Sequence, residues 1–213
     1  MARAKSDRKS QWESFCKKGI QDAVVRILSR KGAEGLTMER VAAEAGVAKG
    51  TLYVYYKDKK QLLESVKEAS MAPMRQELFG ILDGELPPVQ KIGRFVERHL
   101  SYFDEHREFF RVLLWERQLA ETRLRRQQSD PFRTYVDKIA RVLREGVRAR
   151  ALRPLDPVKV AAMLIEADIA MIAQRLLMES PGSVEEDARM LTDVFMNGIS
   201  SPSLKRAARP PRP

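Results

Sequence analysis

Apolar residues recur at three- and four-residue spacing through almost the whole chain, and no run alternates long enough to predict a strand. Trp12, Phe15, Cys16, Ile20, Val24, Ile27 and Leu28 form one stripe of a first helix that stops at Gly32. A short helix is predicted from Thr37, a third from near Ala48 and a fourth from Asp58, where Gln61 three residues on gives the spacing of a capping box. Leu62, Leu63, Val66, Met74 and Leu78 carry that helix towards Gly80, with a kink or break expected at Pro73. Pro87-Pro88 opens the next segment, whose inward positions are Val89, Ile92, Phe95, Val96, Leu100 and Phe103. Phe109 to Trp115 belong to a further helix, and the polar run Glu121 to Gln128 to an exposed helix end or loop.

Asp130-Pro131 and Asp156-Pro157 each place a capping side chain before a proline at the first helical position, where the missing N–H does no harm. The first opens the stripe Phe132, Tyr135, Val136, Ile139, Leu143 and Val147; the second opens a long helix to about Met178. Ser183 with Glu186 is another capping box, followed by Val184, Ala188, Leu191, Val194 and Phe195. The expected fold is all-α, with about nine helices: an N-terminal three-helix helix-turn-helix head over residues 1–60, a C-terminal helical bundle over 61–199, and a Pro/Arg-rich, disordered basic tail over 200–213.

Within the head, Met38 to Glu44 and Ala48 to Tyr53 have the lengths of a helix-turn-helix, with Gly46 in the turn and Val47 filling the angle. Val41, Ala42, Ala45 and Leu52 face inward, and the alanines allow close approach. The outward positions are polar and basic, which an ordinary helical hairpin does not require. Thr37 at a helix start can hold a phosphate. Lys49 and Thr51 occupy the first turn of the second helix, the part that reaches base edges in this motif, where Lys can donate to guanine and a Thr methyl can meet a thymine methyl. Gly50 lets the backbone come close to DNA, while Tyr53, Tyr55, Lys57, Lys59 and Lys60 can contact phosphates.

Charge follows the same division. The chain carries a net charge of +10 over 213 residues; residues 1–60 hold a net +7 and the tail from Ser200 a net +4. The ends are therefore suited to a polyanion and the middle to another task. One cysteine, Cys16, excludes a disulfide framework and reads as a buried small hydrophobe. The first twelve residues lack the apolar stretch of a secretion signal, and Glu166, Asp168 and Arg175 interrupt the most apolar segment, so a soluble cytoplasmic protein is expected, with no membrane partner.

The stretch GAEGLTMERVAAEAGVAKGTLYVYYKDKKQLLESV resembles the DNA-binding domain of the tetracycline-repressor (TetR) family. The likeness runs through Leu36-Thr37, Val41-Ala42, Ala45-Gly46-Val47, Lys49-Gly50-Thr51-Leu52-Tyr53, Tyr55-Tyr56 and Lys59, with Leu62-Leu63 behind. It implies DNA contacts at Thr37, Lys49, Gly50, Thr51, Tyr53, Tyr55 and Lys59. Two positions depart from it: Ala48 stands where family members often carry Ser, which removes a side-chain cap, and Val54 where a larger polar or aromatic residue is common.

For the rest of the chain the resemblance implies a homodimer through the last two long helices, and hence a palindromic double-stranded operator. The helix from Val158 to Met178, apolar on nearly all sides, agrees independently. The resemblance also implies a cavity for a small-molecule effector among the middle helices, for which Phe103, Phe110, Leu114, Trp115, Tyr135, Asp168 and Met171 are candidate lining residues; plain core packing is the competing reading. An acid inside an apolar helix needs a partner. Asp168 either pairs with Arg175 on the same stripe or meets a cationic ligand. His99 and His106 are too few and too badly spaced for a metal site. No nucleophile elbow, phosphate-binding glycine loop or cofactor motif is present, so no enzyme and no cofactor is expected. The leading expectation is a ligand-released repressor; the alternatives are a DNA-organising or division-control protein on the same scaffold, acting through protein partners, and a helical bundle with a vestigial head.

Overall fold

The computed structural model describes residues 2–32, 34–111 and 130–199, with backbone alone at 2–11, 130 and 199. Among these residues the chain is helical and has no strand. Eight helices run in order: α1 (Ala2–Lys31), α2 (Met38–Glu44), α3 (Lys49–Tyr55), α4 (Lys59–Asp83), α5 (Pro88–Glu105), α6 (Asp130–Arg148), α7 (Pro157–Leu177) and α8 (Val184–Ile199). Residues 107–111 are also helical. The predicted sites Leu114 and Trp115, the run Glu121 to Gln128 and the tail 200–213 lie outside the described residues.

The boundaries follow the punctuation in the sequence. Gly32 ends α1 with a positive φ of 64°. Asp58 Oδ1 accepts the Gln61 N–H at 2.7 Å, and the Gln61 side chain accepts the Lys57 N–H at 2.8 Å, so the box at the start of α4 closes one residue further out than the usual pattern. Asp156 accepts from the amides of Val158 and Lys159 at 3.1 and 3.2 Å, with Pro157 in the first turn of α7. Ser183 Oγ accepts the Glu186 N–H at 3.2 Å but donates to the Glu185 side chain, so Glu185 rather than Glu186 is the acid that engages the cap. Pro73 does not interrupt α4, which runs unbroken from Lys59 past Gly80 to Asp83. The N–H that a proline removes is one bond among many in a 25-residue helix.

The chain forms two compact units. Among the described residues, the first comprises those up to 73 together with 108–111, and the second 74–107 with 130–199. In the first, the core of α1 is Cys16, Ile20, Ala23, Val24, Ile27 and Leu28, against Leu36, Met38, Val41, Ala42, Leu52, Leu62 and Val66. Trp12 and Phe15 do not join it. They are 64% and 71% exposed and stack on each other, ring centroids 6.0 Å apart.

The second unit is built on α5, α6 and α7, with Phe95, Val96, Ile139, Ala140, Leu143, Ala161, Leu164 and Ile165 at its centre, and α8 packed on α5. Val89 and Val194 were expected inside and are exposed: each sits at the rim of a stripe on a helix that only one side covers. Arg175, 3% exposed, ties three helices together. Its guanidinium donates to Asp104 at the end of α5, to Asp187 in α8 and to the carbonyls of Pro181, Gly182 and Ser183. It therefore does not pair with Asp168, as the sequence suggested; two helical turns on one helix separate the two residues by about 10 Å. No helix among the described residues is long and apolar enough to cross a membrane.

Candidate nucleic-acid interface

The angle between α2 and α3 is set by the turn. Val47 N–H donates to the Ala42 carbonyl at 3.0 Å and Gly46 N–H to the Ala43 carbonyl at 3.2 Å, the paired bonds of a Schellman motif. The motif needs a left-handed residue at its centre, and Gly46 supplies φ 67° without the steric penalty of a side chain. Thr37 caps α2, its hydroxyl oxygen accepting the Arg40 N–H at 3.2 Å. Arg26 of α1 holds the other end, donating to the Glu44 carboxylate at 2.7 Å and to the Glu44 carbonyl at 3.3 Å, where a cation also opposes the negative end of the helix. α3 has no side-chain cap, since Ala48 stands at that position.

Leu52 is fully buried and fixes the roll of α3. Lys49, Gly50, Tyr53 and Val54 then point outward, and Thr51 is half-buried. Val54, 79% exposed, is the most solvent-accessible large apolar residue of the molecule's described helices. A Cβ added at Gly50 would meet nothing within 4 Å, so nothing in the fold itself calls for glycine there. Tyr55 and Tyr56 turn the other way. Tyr56 is buried with its hydroxyl 3.2 Å from Ser65 Oγ in α4, and Tyr55 is half-buried against α1. Burial, with the Cys16 thiol beside it, raises the Tyr55 phenol above its ordinary pKa, and the Lys17 ammonium lies 5.9 Å from its ring centroid. Of the predicted contacts, Thr37, Lys49, Gly50, Thr51 and Tyr53 thus share the outer side of α2 and α3, Lys59 stands half-buried in the first turn of α4, and Tyr55 sits apart from them.

Glu39, which the sequence reading did not single out, belongs to the same surface. Its carboxylate lies 2.5 Å from Lys49 Nζ, and both side chains are more than half exposed. The hydrogen bond from Lys49 lowers the Glu39 carboxyl below the usual range, and the same bond raises the Lys49 ammonium. An exposed pair of this kind is weak and salt-screened. It holds Lys49 across the first turns of α2 and α3, also 6.0 Å from the Tyr53 ring, and a phosphate can displace it.

The family model of bacterial regulatory proteins of the tetR family matches residues 20–66, and that of the tetracyclin repressor-like C-terminal domain matches residues 88–183. The chain belongs to the TetR family of transcriptional regulators. The HTH-type transcriptional regulator YhgD of Bacillus subtilis is 23% identical over 87% of this chain and 97% of its own length. Among solved structures, SmeT of Stenotrophomonas maltophilia, the repressor of the SmeDEF multidrug efflux pump, superposes with a TM-score of 0.69 at 23% identity over 92% of this chain and 96% of SmeT. FadR of Bacillus subtilis, solved with stearoyl-CoA, superposes with a TM-score of 0.71 at 19% identity over 85% of this chain and 98% of FadR. At these identities the structures attest the fold. As a TetR-family protein, this chain is a DNA-binding transcriptional regulator, with a helix-turn-helix head and a helical C-terminal domain. Its assigned relatives are regulators rather than enzymes.

Of the residues expected to line an effector cavity, Tyr135 and Phe110 are buried, Phe103 and Met171 half-buried, and Asp168 has no exposure. Phe103, Tyr135, Asp168 and Met171 fall in the second compact unit and Phe110 in the first. The partner of Asp168 is His99 of α5, Nδ1 to Oδ2, a pairing across 69 residues that no local spacing could reveal.

Proposed function

We propose that this protein is a cytoplasmic repressor that binds a palindromic operator as a homodimer, with α3 in the major groove, and that a small organic molecule held in the C-terminal domain releases it. The observation that carries the reading is the outer face of α2 and α3, where Lys49, Gly50, Tyr53 and Val54 stand exposed on a helix whose roll Leu52 fixes. Lys49 then donates to a guanine edge or a phosphate, the Val54 side chain meets a thymine methyl, and the Thr37 and Tyr53 hydroxyls position the backbone. Dimerisation is supported by apolar side chains left exposed on the last two helices: Met163 and Leu177 of α7 and Met190 and Val194 of α8 are each more than half exposed. Effector binding is supported by the solved relatives, since FadR carries stearoyl-CoA and SmeT forms a complex with triclosan.

Gel-shift titration against fragments of the source genome tests the DNA face. Lys49→Ala and Tyr53→Phe variants with native helical spectra are expected to lose about ten-fold or more in affinity for the tightest fragments. Binding equal to wild type by both variants would refute DNA reading by α3.

A further inference from the structure

Asp168 lies midway along α7 with no solvent exposure, and His99, also buried, holds only one of its two oxygens. The other, Oδ1, is itself buried and has no hydrogen-bond partner among the described residues. No Lys or Arg pairs with Asp168 among those residues. Arg175 is committed to Asp104, Asp187 and three carbonyls, and the buried Lys91 to Glu145 at 3.2 Å. A carboxylate offers about four acceptor sites, and leaving one oxygen of a buried carboxylate unmatched is among the more costly arrangements a core can hold.

The surroundings are aromatic. The His99 ring centroid lies 5.6 Å from that of Phe95, 5.3 Å from Phe103 and 6.1 Å from Tyr135. Three helices deliver these groups: α5 carries Phe95, His99 and Phe103, α6 carries Tyr135, and α7 carries Asp168. As a carboxylate accepts, the contact has His99 Nδ1–H donating to Asp168 Oδ2. The unmatched oxygen Oδ1 is an acceptor beside a cluster of aromatic rings, whose faces are electron-rich. Both features select the same kind of guest.

We propose that the effector is an organic cation: an apolar or aromatic body bearing a protonated nitrogen that donates to Asp168 Oδ1 and lies against the rings of Phe103 and Tyr135. The inference rests on the small-molecule reading above and adds the chemical class. An anionic guest such as the acyl-CoA seen with FadR would instead bring acceptor oxygens against the unmatched oxygen of Asp168.

Calorimetric titration of the full-length protein with three molecules of one body, 4-phenylbutylammonium, 4-phenylbutanol and 4-phenylbutanoate, and with shorter and longer members of each series, tests it. The ammonium series is expected to bind about ten-fold or more tighter than the matched alcohols, with the carboxylates weakest. In a folded Asp168→Asn variant, ammonium and alcohol affinities should converge, while alcohol binding stays as in wild type. The wild-type ranking alone is decisive if that variant does not fold. Carboxylates binding as well as ammonium ions would overturn the cation assignment while leaving a small-molecule effector in place; no binding by any series would remove both.

Discussion

Lys49 and Glu39 stand in the first turns of α3 and α2, within 2.5 Å of each other, on the face proposed above to meet DNA. On that proposal Glu39 competes with the operator for its own lysine and adds a like charge near the phosphates. Glu39→Gln is expected to tighten operator binding by about two- to five-fold at low salt, an advantage that shrinks as salt rises, measured by fluorescence anisotropy across a salt series. Gly50 gives a second residue-scale expectation with two opposite signs. A Cβ there meets nothing in the protein, so Gly50→Ala should stabilise α3 by about 0.5–1 kcal/mol in thermal unfolding while weakening DNA binding, because on the proposed reading the added methyl stands where the duplex approaches. An alanine variant that binds like wild type would show that the backbone at Gly50 stays clear of DNA. The outward placing of Lys49, Gly50 and Tyr53 was legible from their place in a helix-turn-helix pattern. Glu39 was not, because its role depends on the crossing of two helices, and Tyr55 was assigned with the outer residues although its i+3 spacing from the buried Leu52 turns it towards α1.

At the scale of helices, the punctuation residues were the most legible part of the sequence, since caps, prolines and Gly46 act on their own few neighbours. The departure at Ala48 is confirmed as an uncapped start to α3. Ala48→Ser should restore the cap and raise stability by about 0.5–1 kcal/mol, read as a higher Tm. Asp83, at the end of α4, accepts from Lys138 at 2.7 Å and from Arg141, and the Lys138 hydrogen bond foremost holds its carboxyl below the usual range. The folded pKa lies below the unfolded one, so the stabilisation is complete above the ordinary carboxylate value of about 3.9 and is lost as pH falls through the folded value. Asp83→Asn should thus lower Tm modestly at neutral pH, with the gap to wild type closing in acid. Where periodicity misled, it lacked the third dimension. Trp12 continues the stripe of Cys16 and Ile20 yet stands exposed, and Val194 follows the spacing of Leu191 on a helix covered from one side only.

At the scale of the whole molecule, the all-helical class and the helix-turn-helix head were readable because both rest on short-range patterns. The assembly of the C-terminal domain was not: His99–Asp168 and Arg175–Asp104 join residues 69 and 71 positions apart. The exposed apolar side chains of α7 and α8 carry the dimer expectation. Val194→Glu combined with Met163→Glu should shift the mass found by light scattering from dimer to monomer, with the helical spectrum retained; a variant that remains a dimer would place the interface elsewhere.

The most direct measurement is the selection of bound fragments from genomic DNA, followed by footprinting of the tightest one. A dimer reading DNA through α3 should recover a recurring inverted repeat, protected as a single block, with half-site centres one turn of DNA, about 34–36 Å, or a multiple of it apart. Protection that spreads from many unrelated sequences, with no repeat in common, would contradict it.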